Sequence, residues 1–294
     1  MERRKFLNSI IAGGVVLKFF PEIIHSQTLP DLAVVQSESP YIGTKKAIEK
    51  IGGMKKFISR GDKVIVKPNI GWDRIPEQGA NTNPEVVKAL VEMAYEAGAR
   101  KVMVLDNPCD NAKKTYIRSG IEKAAKEAGA EVPLPNLRRI KRVSINGEYL
   151  KEWDVLVNFV EVDKIINVPV AKHHSLAVLT LGMKNWLGAI GGERNRLHQQ
   201  IDGVVNDLAD FFKPSLSVID AWRIMVRNGP TGGSLSDVQI KKTIIAGRDY
   251  VAVDSYGATL FGKTYRELGF LRIAEKRKNG EVDLSKLKIE KSKI

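Results

Sequence analysis

Lys63-Val64-Ile65-Val66-Lys67-Pro68-Asn69 decides how the rest of the chain reads. Three β-branched apolar residues in succession, flanked by lysines and stopped by a proline, describe a strand covered on both faces. Strands of that kind belong to parallel sheets, whose connections are helical. The following sequence supplies the connection: Asn83-Pro84-Glu85 offers an N-cap, a proline for the first helical position and an acid for the first turn. That helix should end near residue 97, before Gly98. Lys101-Val102-Met103-Val104-Leu105 is the next strand, ending in Asp106, and helical sequence follows residues 107–111 as far as Gly129. This rhythm predicts an α/β fold with a mostly parallel, Rossmann-like sheet covered by helices and joined by right-handed crossovers.

Further out, residues 32–35, 164–170, 215–220 and 243–246 read as strands, and residues 201–212 and 250–260 as helices. Residues 44–58 read as a helix interrupted at Gly52-Gly53. Asn146-Gly147 predicts a tight β-hairpin, inserted within residues 131–160. Residues 31–264 therefore form one α/β domain, and the lysine-rich stretch 265–294 is expected as a basic, partly ordered tail. At the other end, Arg3-Arg4-Lys5-Phe6-Leu7 precedes a short apolar run, a basic head and greasy body that describe an export signal over residues 1–26. The paired arginines are similar to a twin-arginine signal, which implies the export machinery as a partner and an extracytoplasmic location. Without use of the signal the protein is cytoplasmic.

Composition narrows the function classes. The 294 residues, 43% of them hydrophobic, are enough for a large core. Lys+Arg 47 against Asp+Glu 34 gives a net charge of +13, which favours anionic partners. The lysines are nevertheless dispersed, and mixtures such as Glu122-Lys123-Ala124-Ala125-Lys126-Glu127 are solvated helix faces. No basic stripe carries interleaved aromatics, so nucleic acid is not an expected partner. Cys109 is the only cysteine, which excludes an intramolecular disulfide and a cysteine-ligated iron–sulfur cluster. No apolar run reaches the roughly 18–20 residues of a membrane-spanning helix.

In open parallel sheets, ligands bind outside the carboxyl ends of the strands. Those ends read Lys67-Pro68-Asn69, Asp106-Asn107-Pro108-Cys109-Asp110-Asn111, Lys172-His173-His174 and Asp220-Ala221-Trp222. Lys67, Lys172 and Lys184 suit a carboxylate or phosphate, with Asn69 and Asn185 orienting it. His174 is the candidate proton shuttle near neutral pH, and with Lys184 and Cys109 it forms the candidate catalytic set. Cys109 reads equally as a nucleophile, a metal ligand or an inert thiol. Asp106, Asp220 and Asp254, with Asp110, His174 and Cys109, are candidate ligands for a divalent metal. Asp254 has a second reading, as a charge on the first turn of its own helix. Phosphate-loop, dinucleotide and nucleophile-elbow patterns are absent. The expectation is an exported enzyme acting on a small anionic substrate with metal assistance; the alternative is an exported binding protein for a metal, cofactor or anionic solute.

At these residues the sequence resembles a known family. Residues 63–69, then Asn81-Thr82-Asn83-Pro84-Glu85-Val86-Val87, Lys172 and His174, Thr180, Lys184-Asn185, Gly188, Val253-Asp254 and Gly262 are similar to the bacterial and archaeal domain of unknown function 362 family. The resemblance covers about residues 32–262. It implies a fold and export by the twin-arginine route, and in some members a ferredoxin-type cluster domain. With one cysteine this chain departs from those members, so an electron-transfer role would need a separate redox partner. The Lys-Pro-Asn strand followed by an Asn-Pro helix also resembles the amino-terminal half of nickel-pincer lactate racemases, a fold-level analogy that assigns no function.

Overall fold

The computed structural model describes residues 29–294. The expected export segment, residues 1–26, lies outside the described residues. Among the described residues no helix is long and apolar enough to cross a membrane.

In chain order the elements are β1 (Leu32–Gln36), α1 (Pro40–Lys50), β2 (Lys63–Pro68), α2 (Pro84–Glu96), β3 (Lys101–Val104), α3 (Ala112–Arg118), α4 (Ile121–Glu127), β4 (Ile140–Ser144), β5 (Glu152–Leu156), β6 (Lys164–Val168), β7 (Val170–His174), β8 (Val178–Thr180), α5 (Gly182–Asn185), α6 (Ile201–Phe212), β9 (Leu216–Met225), β10 (Val238–Gly247), α7 (Tyr250–Thr259), α8 (Gly269–Arg277) and β11 (Ile289–Lys293). The central sheet runs β11-β1-β10-β9-β6-β2-β3, with β7 beside β9 and β8 paired to β7. The β9-β6-β2-β3 half is parallel, as are β7 with β9 and β1 with β11. β10 runs against both of its neighbours. The fold is therefore mixed α/β with a mostly parallel sheet, as the sequence led us to expect.

Each face of the sheet has its own core. Under α1, α2 and α4 lie Ile48, Val87, Leu90 and Ile121, and under α6, α7 and α8 lie Leu208, Val253 and Leu271. The period of two along β2 sends Val64 and Val66 into the first core and Ile65 into the second. By the same alternation Lys67 follows Ile65 onto the face that carries α5, and this places its ammonium. Asn83 caps α2 by accepting from Glu85 N, and Pro84 occupies the first turn, as expected.

Four expectations need correction. α1 begins at Pro40, where Ser39 accepts from Ile42 N, and ends before Gly52; residues 54–56 form a separate 3₁₀ turn. The inserted hairpin is β4–β5, but Asn146-Gly147 is not its two-residue turn. The strands are joined by residues 145–151, closed by Gly147 N donating to Leu150 O, and the tip is held by Asp207, whose carboxylate accepts from Tyr149 N and Leu150 N. β9 and β10 each run 10 residues, well beyond their apolar centres. Residues 265–294 are not a tail: they build α8 and then β11, which pairs in parallel with β1 at the sheet edge.

Candidate functional site

A cavity of about 650 Å³ opens at the carboxyl ends of β2 and β3, bordered by β7, β8 and α5. Behind it lies a closed polar network. Lys67, fully buried, donates to Asp106 Oδ1 (2.7 Å), Asn185 Oδ1 (2.9 Å) and its neighbour's carbonyl at Pro68 (2.9 Å), so its three donors are all used. Asp106 Oδ2 accepts from Ile70 N at 2.6 Å. Asn185 Nδ2 donates to Asn167 Oδ1 (2.9 Å) and Lys67 O (3.2 Å), and Asn69 Nδ2 donates to Asn185 Oδ1 (3.3 Å). Burial pulls the Lys67 ammonium below its ordinary range against the opposing pull of Asp106. A buried ion pair survives only when its remaining donors and acceptors are matched, and here they are. Gly188 packs directly on the pair: a Cβ there would lie 1.8 Å from Asp106 Oδ1 and 2.7 Å from Lys67 Nζ.

The wall of the cavity differs. Lys172 reaches it from β7 with Nζ donating to Asn69 Oδ1 (2.9 Å) and Ala80 O, and it makes no ion pair among the described residues. Burial pushes this lysine down to about 7, with the Lys184 charge pushing the same way and Cys109 opposing. Lys184, on α5, is 7% exposed, and its Nζ has neither a carboxylate nor a hydrogen-bond acceptor among the described residues. Burial pushes it down to about 8. Thr180 Oγ1, also on the wall, is buried without a partner. Buried polar groups are normally matched, so an ammonium and a hydroxyl orphaned on one cavity mark where a ligand's acceptors belong.

His174 is fixed by its backbone surroundings. Its Nδ1 accepts from Leu176 N (3.1 Å) and Ala177 N (3.2 Å), which leaves Nε2 to carry the ring proton. Burial, then the charges of Lys184, His198, Lys172 and His173, press it down to about 3. His174 is thus held to present Nε2–H as a hydrogen-bond donor, with its charged form disfavoured. Its ring stacks on His198, centroids 6.1 Å apart.

The carboxylates expected as metal ligands accept from backbone N–H groups. Asp106 borders the cavity with both oxygens engaged. Asp220 accepts from Asn83 N (2.7 Å) and Trp222 N (3.1 Å), joining the start of α2 to β9, and burial raises it to about 6. Asp254, on α7, accepts from Gly182 N (2.7 Å) and Met183 N (2.8 Å), and burial raises it to about 7. It caps α5 from outside that helix and so positions Lys184 and Asn185. Asp110 accepts from Asp73 N at 2.8 Å. Among the described residues no three His, Cys, Asp or Glu side chains gather as ligands. Of the two carboxylates on the cavity, Asp106 is engaged and Glu193 lies 3.4 Å from Arg196, the Nδ1 lone pair of His174 is occupied, and lysines supply most of the charge.

Lys67, Asn69, Asp106, Cys109, Lys172, His174, Lys184 and Asn185 thus meet at one cavity, Lys67 from behind it, while Asp220 and Asp254 stand away from it. Cys109 is exposed at its edge. Sequence reasoning missed Arg194, His198 and Trp72. Arg194 donates to the carbonyls of Asn107 (2.7 Å), Leu187 (3.0 Å) and Pro108 (2.8 Å), tying three cavity segments together. Its surroundings, Glu193-Arg194-Asn195-Arg196, look like an ordinary solvated turn, and only Gly191-Gly192 just before them hinted at close approach.

Comparison with known proteins supplies a frame. The family profile described as "Domain of unknown function (DUF362)" matches residues 64–259. A thylakoid-associated protein of Synechocystis is 27% identical over 215 residues, which is 70% of this chain and 65% of that protein. The chain thus spans just under two thirds of that relative's length. Among solved structures, a lactate racemase apoprotein from Thermoanaerobacterium thermosaccharolyticum is similar at 12% identity, with a TM-score of 0.44 over 73% of this chain and 53% of the other.

Proposed function

We propose, from the premise that this chain belongs to the domain of unknown function 362 family, that its cavity binds a small organic anion, a carboxylate or phosphate, and that the protein is an enzyme acting on it. One observation carries this reading: Lys172 and Lys184 are buried on the same wall and neither forms an ion pair. Isolated buried ammonium groups are costly, and a bound anion supplies the missing charge. The Thr180 hydroxyl and the Nε2–H of His174 add neutral donors suited to the same oxygens. Strongly shifted lysines in a concave site also favour chemistry over storage. His174 then orients the ligand as a hydrogen-bond donor, and Asn69 and Asn185 act through the lysines they hold. The site takes its charge from lysine and needs no metal to neutralise the anion.

The test is thermal unfolding of the full chain with glycolate, phosphate and divalent metal salts. A saturable rise in melting temperature with one of the anions, absent in Lys184→Met, is the expected result. Equal shifts in the wild type and the variant would overturn the site. Export remains a proposal from the paired arginines, and identical fractionation of the wild type and an Arg3→Lys/Arg4→Lys variant would end it.

A further inference from the structure

We infer that Lys184 is a nucleophilic amine that forms an imine with a small carbonyl compound bearing an acid group, and that Lys172 is the cation holding that group. The inference rests on the anion-binding reading and goes on to assign different work to the two lysines. Lys172 is restrained: Asn69 Oδ1 and Ala80 O each take one of its protons, both acceptors favour the ammonium form, and the third N–H is left for a ligand oxygen. Lys184 is unrestrained. No hydrogen-bond acceptor among the described residues fixes its nitrogen, only Cys109 favours its charged form against the larger effect of burial, and α5 holds its backbone rigidly because Asp254 accepts from Gly182 N and Met183 N. A buried amine with no carboxylate to stabilise its proton keeps a share of its lone pair free at neutral pH, and although burial lowers Lys172 further in the empty site, its two acceptors and a bound acid group hold it charged. The cavity of about 650 Å³ gives it room.

The step balances without an oxidant or a further reactant. The Nζ lone pair forms the C–N bond, the carbonyl π pair moves to oxygen and is protonated, and the hydroxyl leaves as water. Nitrogen loses its two protons in the process, one to each stage, and the product is an imine plus one water. The carbonyl carbon becomes an electron sink for whatever bond the enzyme then makes or breaks beside it.

Three matched probes separate the parts: glyoxylate carries a carbonyl and an acid, glycolaldehyde only the carbonyl, and glycolate only the acid. The full chain is incubated with limiting glyoxylate and borohydride, digested, and mapped by mass spectrometry. The expected result is a reduced adduct at Lys184, formed at least about tenfold faster than with glycolaldehyde, the difference one ion pair of about 1.4 kcal/mol supplies. Lys184→Arg, which keeps a cation but offers no neutral amine, should lose the adduct and retain a melting shift with glycolate; the melt also reports that the variant folds. Lys184→Met is the second variant and should lose the adduct as well. Glycolaldehyde phosphate decides the acid group: trapping with it and not with glyoxylate assigns a phosphate. An adduct at Lys172, or one spread over surface lysines, overturns the inference. If the acids raise the melting temperature and no probe leaves an adduct, the imine is wrong and the anion site stands. If neither occurs, the anion site itself is wrong.

Discussion

Two cavities open at opposite ends of the sheet, about 650 Å³ at the carboxyl ends of β2 and β3 and about 750 Å³ at the amino ends of β1, β9 and β11. The larger is the less informative. Its acids are matched: Asp210 accepts from Tyr250 Oη (2.7 Å) and Asn279 Nδ2 (2.6 Å), and Asp249 caps α7 and also accepts from Glu281 N. Its cations Lys56, Lys213, Arg248 and Lys278 are exposed, where water solvates them. At the other end the Thr180 hydroxyl is buried without a partner, and the Lys184 ammonium, on a residue 7% exposed, has no protein acceptor among the described residues. Volume therefore does not separate a site from a surface cleft; unmatched polarity under burial does, because only there does a ligand replace something the fold itself lacks.

The largest test of that contrast strikes the closed network behind the cavity. Gly188→Ala puts a methyl group into the Lys67–Asp106 contact, and neither side chain has space to retreat without losing buried partners. Breaking a buried pair costs about 3–5 kcal/mol, so urea unfolding should show a loss of that order, with the anion response abolished. A variant as stable as wild type would show that the network is not what supports the wall.

The next test strikes the wall. Lys184→Met removes an unmatched buried charge, so it should weaken anion binding at least about tenfold while making the empty protein more stable at pH 7, by at most about 3 kcal/mol. The sign follows from linkage. The folded-state value of about 8 lies below the ordinary 10.5, so between those values the unfolded chain binds more protons and stability rises with pH. Below about 8 the full penalty is present, and above 10.5 it is gone. The difference in unfolding free energy between wild type and variant should shrink across that window. A difference that stays constant from pH 7 to 10.5 would mean Lys184 is solvated when folded. Wild-type affinity for glycolate should in turn fall as pH rises through about 7 to 8, where Lys172 and Lys184 lose their protons.

Much of this contrast was legible in the chain, and the part that was not has a physical reason. The alternation along β2 and the Asn83-Pro84 cap follow from short-range rules, so the sheet, α2 and the position of Lys67 at a strand end could be read directly. Asp220 and Asp254 also lie where the elements put them, but their destinations are backbone N–H groups 137 and 72 residues away. No spacing encodes such a partner, and so they were taken for metal ligands. His174 stands on the cavity, but its tautomer depends on the turn at residues 176–177, which its place at a strand end does not encode. β11 has one apolar residue, Ile289, and no alternation to read, and pairing with the edge of β1 turns that stretch into a strand.

Asp254→Asn sharpens the comparison from the side of the scaffold. The amide retains one acceptor and turns a donor toward a backbone N–H, so one buried bond at the start of α5 is lost, at a cost of about 1–3 kcal/mol. Anion affinity should fall with it, since Lys184 sits within a turn of the disturbed end. Burial raises Asp254 from 3.8 to about 7, so the folded state binds more protons between those values and wild-type stability falls as pH rises through them. The variant should lack that contribution. Unfolding at pH 4 and pH 7 measures both effects, and an equal pH dependence in the two proteins would show that the carboxyl is not held as the geometry requires.

The smallest expected effect comes from the second cavity, and it tests the premise of the comparison. Lys56→Ala/Arg248→Ala removes two exposed cations from the larger opening. Solvated charges of this kind contribute within about 0.5 kcal/mol each, so unfolding should barely move and glycolate or phosphate should shift the melting temperature as in wild type. If the double variant instead lost the anion response, exposed cations around a larger cleft would have outperformed buried, unmatched ones, and the criterion that selects Lys172 and Lys184 would have chosen the wrong end of the sheet. The result is informative because both openings have lysine and apolar walls in common. What distinguishes them is that one set of charges lies in open solvent and the other is almost wholly covered by protein.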